Sequence, residues 1–378
     1  LRANVDTSEL VGSATAPSAD PTDGTYWFDL ASSSYGLFEW SQTNQSFTSI
    51  TPTLITSTSD LVGAVSTGAP KTSIGAIGDY AINTTHVTNK IYKKTASNTW
   101  VHVGSTAWHT SLPVVTVASG TTVTSGHKIT MNGVEITFGG TALSDVATAI
   151  GSNVTNVTAN VNSTTGNLEI FHNGKFLGDS TGGSNTIRFE ANTGTGLADL
   201  GITAGVKNGV KFLQDKHTNR PTWKTADEDR PNGSVWFKTT SANSGAALVA
   251  KLYSTASASF SQVASPLHSN HHSAIFNLDP ANGGTALTTG TVYAQYNVTE
   301  ESMTADDLGG VDSTGNVADF QFFRYEGGAT TITSNTTSPS FTSSETFEIQ
   351  ESVKNSESLA AVKTVTLGGT GADDFVAA

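Results

Sequence analysis

The feature that most limits what this chain can fold into is a short aromatic stretch that recurs. Asp23-Gly24-Thr25-Tyr26-Trp27-Phe28-Asp29 is followed by Leu37-Phe38-Glu39-Trp40. Gly78-Asp79-Tyr80-Ala81-Ile82 leads to Lys90-Ile91-Tyr92-Lys93-Lys94 and then Trp100-Val101. Asn232-Gly233-Ser234-Val235-Trp236-Phe237 leads to Leu248-Val249-Ala250-Lys251-Leu252-Tyr253 and then Phe260. Each copy predicts a turn, an aromatic strand, a polar turn and further short strands. The glycine lets the chain reverse, and alternating large residues cover one face of a small meander. The expected cores of these units are Trp27, Phe28, Phe38, Trp40, Tyr80, Tyr92, Trp100, Trp236, Phe237 and Tyr253. Their rings could also stack on sugars, but alternation fits burial more simply.

Composition narrows the class. The hydrophobic share is 36% and the charged share only 13%. Disorder combines few apolar groups with high charge, and this chain lacks the second. Ser, Thr, Asn and 37 Gly fill the difference, which suits a β-rich protein with many turns. A net charge of −13 argues against nucleic acid as the main partner, because a phosphate-binding face needs clustered Lys and Arg. The absence of cysteine excludes disulfides and thiolate metal sites. No apolar run of about 18 residues predicts membrane insertion.

In chain order, residues 1–11 read as a strand leading out of a larger core, and 12–114 as two meander modules. Residues 115–206 form the clearest separate unit. Asn132-Gly133 between Lys128–Met131 and Val134–Phe138 is a strong hairpin signal, since both positions tolerate positive φ. Leu143, Val146, Ala147 and Ile150 share one helical face. The expectation is a sheet of about four strands with that helix laid on it. Residues 207–270 read as the third meander and 271–362 as a β-sandwich-like region, with Thr299–Ala318 a long loop. Val365–Ala378 aligns without gaps on Ile136–Ala149. Residues 363–378 are therefore expected to begin a second insert-like unit or a return to the core, and both ends read as cuts through a larger polypeptide. The fold class is thus mainly β with minor α: tandem meander or sandwich modules plus a β-α-β insert.

Met131-Asn132-Gly133, Gly140-Thr141 with Asp145, and Ala198-Asp199-Leu200-Gly201-Ile202 carry a resemblance to the flagellin IN motif of flagellins and hook-associated proteins. That resemblance covers about a quarter of the chain and implies a surface-displayed structural insert.

Chemistry-bearing clusters are few. His268-Ser269-Asn270-His271-His272 is the one histidine cluster; Pro266 and the polar context predict a surface loop, and a metal site needs a third fixed ligand. Asp227-Glu228-Asp229 and Asp306-Asp307 read as solvated loops, and Asp373-Asp374 as the first turn of a helix. No nucleophile elbow, P-loop or dinucleotide fingerprint is present. The expectation is no catalytic residue, no metal and no cofactor.

Leu1–Asp6, Pro21–Asp29, Gly36–Trp40, Ser73–Ala81, Trp100–Ser105, Arg230–Thr240 and Asn277–Pro280, taken in order, resemble the inserted region of tail sheath proteins of contractile-tailed, myovirus-type bacteriophages. The similarity spans nearly the whole chain. It implies a virion structural protein on the tail exterior, assembled in the host cytoplasm, that self-associates into rings of a helical, contractile stack. The tail tube and baseplate would be reached through a flanking core outside this sequence, with the host surface as outer neighbour. A phage fibre or adhesin module binding host glycans is the alternative reading. A glycan-cleaving enzyme using Asp306 or Asp307 is a third.

Overall fold

The structure is a computed structural model, and it describes residues 2–4, 10–18, 21–63, 68–173, 186–191, 194–221, 230–279, 287–298, 317–325, 344, 346–349 and 362–366. The chain is mainly β with minor α. Expectations for Thr299–Ala318, Asp227–Asp229, Asp306-Asp307 and Asp373-Asp374 fall wholly or almost wholly outside the described residues. So does most of the expected second insert-like unit at 363–378, of which Lys363–Thr366 are described, paired antiparallel with Thr346–Ile349.

The aromatic strands form where expected, at Tyr26–Asp29, Leu37–Ser41, Tyr80–Asn83, Val235–Lys238 and Ala250–Ser254. Their partners differ from a set of self-contained meanders. Tyr26–Asp29 pairs antiparallel with Ala250–Ser254, and Val235–Lys238 pairs antiparallel with Leu37–Ser41. The first and third units therefore exchange strands. One four-stranded sheet runs Leu10–Ser13, Tyr26–Asp29, Ala250–Ser254, Ser259–Val263; the other runs Phe212–Asp215, Val235–Lys238, Leu37–Ser41, Ser46–Ser49. Each takes a parallel pair from one half of the chain and a hairpin from the other.

The two halves repeat each other bond for bond. Gly24 N donates to Tyr253 O as Gly233 N donates to Trp40 O, and Asp29 N donates to Val249 O as Lys238 N donates to Gly36 O. Thr255 N donates to Asp23 Oδ1, and Gln42 N to Asn232 Oδ1. Ser34–Tyr35 and Ala246–Ala247 pair where the halves cross. The close approach there requires Gly36, which has φ +61° and where a Cβ would collide with Ala246 N and Lys238 O.

The same exchange continues into an eight-stranded sheet. Its path is Leu267–His268, Val292–Tyr296, Asp319–Tyr325, Thr88–Lys94, Tyr80–Asn83, Thr53–Ile55, with Arg2–Asn4 and Trp100–His102 as side branches. A short strand parallel to the next lies at each end, and the halves meet at Thr88–Lys90 against Asp319–Gln321. By this pairing the counterpart of Tyr80–Asn83 is Val292–Tyr296. The strands expected at Val292–Val298 and Phe320–Tyr325 form, and they join this sheet with strands of the second unit rather than closing a sandwich among themselves.

One apolar core joins all these pieces. It contains Tyr26, Phe28, Leu37, Tyr80, Ile82, Ile91, Val235, Phe237, Ala294, Phe320 and Phe322. Phe28 lies 4.9 Å from Phe322 and 6.0 Å from Phe320 between ring centroids, within the range of favourable aromatic pairs.

Residues 114–208 form a second body with its own core. Asn132 and Gly133 have φ +49° and +79°, the positive pair that a tight hairpin turn demands. Helix Leu143–Asn153 buries Leu143, Val146, Ala147 and Ile150, and the Asp145 carboxylate accepts from Ala142 N at 3.0 Å to start it. The expected sheet of about four strands is two sheets: Val115–Val117, Leu168–His172, Val157–Val161, and Val134–Thr137, Lys128–Met131, Thr186–Glu190, Gly205–Asn208. The helix and both sheets share one core, including Met131, Phe138, Ile150, Ile170 and Phe189.

Because the exchanged body and the insert share no core residue, calorimetry is expected to resolve two transitions. Phe237→Ala should destabilise only the body, by about 3–5 kcal/mol, and Ile150→Ala only the insert, by about 2–5 kcal/mol. One transition shifted equally by both variants would contradict this division.

Candidate functional site: the exchanged aromatic seam and the cleft beside it

Seven of the ten aromatic residues expected as module cores, Trp27, Phe28, Phe38, Trp40, Trp236, Phe237 and Tyr253, come together along the seam where the halves cross. Tyr26 and Phe28 point into the common core, so Trp27 must face outward on its strand. It is nonetheless buried, because Phe260 packs edge-on at 5.4 Å and the Lys251 ammonium lies 4.6 Å from its ring. Trp236, its counterpart, is covered by Phe38 at 5.3 Å and Phe47 at 5.5 Å. Each indole N–H is satisfied by the neighbouring parallel strand: Trp27 Nε1 donates to Ser13 O at 3.1 Å, and Trp236 Nε1 to Asp215 Oδ1 at 3.0 Å.

Trp40 packs on Phe47 at 5.3 Å and lies under the Arg230 guanidinium at 5.0 Å. Trp27 and Trp40 are each only 6% exposed, so neither presents an open ring face. Phe38 and Tyr253 are half-buried. Tyr92 and Trp100 sit apart from the seam, in a smaller cluster with Ile55, Leu61 and Ala81. Tyr80 belongs to the common core.

Buried charges, invisible in the sequence pattern, hold the seam together. Lys93 Nζ lies 2.6 Å from Glu39 Oε1, linking the large sheet to an exchanged sheet. Lys251 Nζ donates to Asp29 Oδ2 at 2.8 Å across the seam. Burial alone would push the Asp29 carboxyl up, but hydrogen bonds from Lys251 and Ser32 outweigh it and hold it below the ordinary carboxylate value. The Lys94 ammonium is enclosed by Thr72 O, Ile74 O and Gly75 O at 2.6–2.8 Å. Lys238 Nζ donates to Thr218 O and Asn243 O, both at 2.8 Å, and burial pushes its ammonium below the usual lysine range. All three donors of Lys94 are thereby used; these lysines fasten loops.

Beside the seam, where the chain passes into and out of the insert, lies a cleft of about 430 Å³. Glu39, Lys93, Val114, Lys207, Arg230 and Asn232 are among the residues lining it. The charge it offers is largely committed: Lys93 to Glu39, and Arg230 Nη2 to Pro221 O at 2.6 Å.

The histidine cluster is not a surface loop. His268 lies on a strand, paired with Gln295, and His271 opens helix His271–Leu278, which Asn270 caps by accepting from Ser273 N at 2.7 Å. The Asn cap and the return to the sheet edge override the loop signal of Pro266 and the polar neighbours. His271 Nδ1 is 2.8 Å from the Tyr293 hydroxyl, and its ring stands edge-on to Phe323 at 4.4 Å. His268 is buried at 7% exposure, and among the described residues neither of its ring nitrogens has a hydrogen-bond partner; the buried amide of Gln295 is likewise unpartnered among them. Burial, with Lys216 adding to it, pushes the His268 imidazole below its ordinary value.

Among the described residues, no group of three or more His, Asp or Glu side chains could hold a metal ion. No helix among them is long and apolar enough to cross a membrane. Comparison with family models, curated proteins and solved structures finds no match to this chain.

The state of His268 gives a pH signature. Its folded pKa lies below the unfolded value of about 6.5, so the unfolded chain binds the proton first and stability falls as pH drops below that value. His268→Leu removes the unsatisfied polar ring while keeping apolar bulk. Chemical denaturation should find it within about 1 kcal/mol of the parent at neutral pH. On the acid side its stability should fall less steeply, by up to about 1.4 kcal/mol per pH unit. A loss of several kcal/mol at neutral pH would contradict the unpartnered placement.

Proposed function

We propose that this chain is a structural part of a virion: the outward region of a contractile tail sheath, inserted into a larger core and carried through contraction as a rigid body. The observation that carries the reading is the use made of the aromatic strands. Residues that would form a sugar platform are buried against each other in the seam, with Trp27, Trp40 and Trp236 all at most 6% exposed. A body locked by exchanged strands suits a part that must bear load without catalysing anything. The order of motifs along the chain, from Gly24-Thr25-Tyr26-Trp27-Phe28 through Asn232-Gly233-Ser234-Val235-Trp236-Phe237, is the ground for the tail sheath in particular.

The partners of this reading are further copies of the same chain, and through the larger core the tail tube and baseplate. The host-glycan adhesin is the second reading. It would draw on the same tryptophans, and their burial weighs against it.

Imaging of native particles labelled with an antibody to this chain is expected to decorate the outside of the tail at a regular axial repeat. Label confined to fibre tips or the capsid interior would overturn the proposal. On a glycan array the isolated chain is expected to bind nothing; binding lost in a folded Trp40→Ala variant would favour the adhesin.

A further inference from the structure

Across the large sheet, four polar residues lie in one row. His268 pairs with Gln295, Gln295 with Gln321, and Gln321 with Thr88. Directly paired residues of neighbouring strands share a face. The opposite face of the same strands puts Ala294, Phe320 and Phe322 into the apolar core. Gln321 is 4% exposed and Gln295 wholly buried, and a polar group this deep costs free energy unless its hydrogen bonds are met. The row nonetheless holds more capacity than the resting fold uses. The Gln295 carboxamide and both His268 ring nitrogens have no hydrogen-bond partner among the described residues.

One contact in the row brings a nucleophile to a carbonyl. Thr88 Oγ1 donates to Gln321 Oε1 at 3.0 Å. The carboxamide carbon lies one C=O bond, about 1.2 Å, behind that oxygen. A small rotation of either side chain therefore takes the hydroxyl to an attack distance of about 3–3.5 Å. Lys90, two residues along the same strand, shares the face of Thr88. Burial holds its ammonium below the usual lysine range against the pull of Asp319, which favours the proton-accepting amine. Burial of Gln321 also keeps out the water that would compete with Thr88 or hydrolyse a product. The place matters as well. Thr88 and Gln321 are 233 residues apart, on either side of the join between the halves, and in this sheet that join is only Thr88–Lys90 against Asp319–Gln321.

We propose that Thr88 and Gln321 become joined by an ester bond, a self-formed crosslink that ties the two halves of the large sheet together. Thr88 Oγ1 attacks Gln321 Cδ, and the new O–C bond gives a tetrahedral intermediate. The C–N bond then breaks, and the nitrogen leaves with the hydroxyl proton as ammonia. Nothing is oxidised or reduced. Lys90 is placed to carry the proton, and the spare donors of Gln295 suit the charge that develops on Gln321 Oε1. The bond forms within one chain, so it stands or falls apart from the tail reading.

The test is the intact mass of the folded 378-residue chain, followed until it no longer changes, with peptide mapping. The parent should end lighter than its sequence by the mass of one ammonia. Mapping should find one branched peptide holding Thr88 and Gln321, which hydroxylamine splits. Thr88→Ser keeps the hydroxyl and should keep the loss; Thr88→Val and Gln321→Met should stay at their full sequence masses. A parent chain that keeps its full sequence mass overturns the proposal, whether or not the variants fold. So does an ammonia loss that persists in folded Thr88→Val, or that maps instead to a cyclised Asn132-Gly133.

Discussion

Two antiparallel pairings hold this molecule in its shape: Tyr26–Asp29 with Ala250–Ser254, and Val235–Lys238 with Leu37–Ser41. They join parts of the chain far apart in sequence. Ser34 and Gly245, 211 residues apart, are hydrogen-bonded, and so are Asp29 and Lys251, 222 apart. Everything else in the body follows from this crossing. It brings Phe28 and Phe237 into one core with Phe320 and Phe322, fixes the meeting of Thr88–Lys90 with Asp319–Gln321, and buries both faces of Tyr26–Asp29 and Val235–Lys238. Neither four-stranded sheet is built from one half alone.

The crossing also explains where the insert sits. It interrupts the chain between the halves, with its own core, and its two connections line one cleft beside Glu39 and Lys93. Material can be added there without breaking a ladder, because loop length costs little once the ends are close. The cost falls on folding rate: the seam waits for strands from the far half, and such non-local pairing is slow.

Much of the local structure was legible in the sequence. The apolar spacing of Leu143, Val146, Ala147 and Ile150 identified a helix face, Asn132-Gly133 a hairpin turn, and the glycine-aromatic stretches their strands. Partner choice was not legible, because a period of two says which face a residue occupies and nothing about which strand lies alongside. The unit at Tyr80 looked like a third copy of those at Trp27 and Trp236. Its counterpart is Val292–Tyr296, whose Gly290-Thr291-Val292-Tyr293-Ala294 start carries a single aromatic, as Gly78–Ile82 does, against three in Gly24–Phe28. The histidines misled for a similar reason: Pro266 and the polar neighbours signal a loop, while the cap at Asn270 and the pairing with Gln295 decide the outcome. Buried Lys94 and Lys238 could not be foreseen, since only the fold supplies the carbonyls that receive them.

The central claim is the crossing itself, and the absence of cysteine from the chain makes it directly testable. Ser34 and Ala247 are paired opposite each other where the halves cross, a separation that a disulfide spans without moving the backbone. In the double variant Ser34→Cys, Ala247→Cys, oxidation at low concentration should give one intrachain disulfide, seen as a faster-migrating monomer on non-reducing gels and a raised melting temperature. A chain that stays unlinked, or links only to other chains, would contradict the exchanged fold.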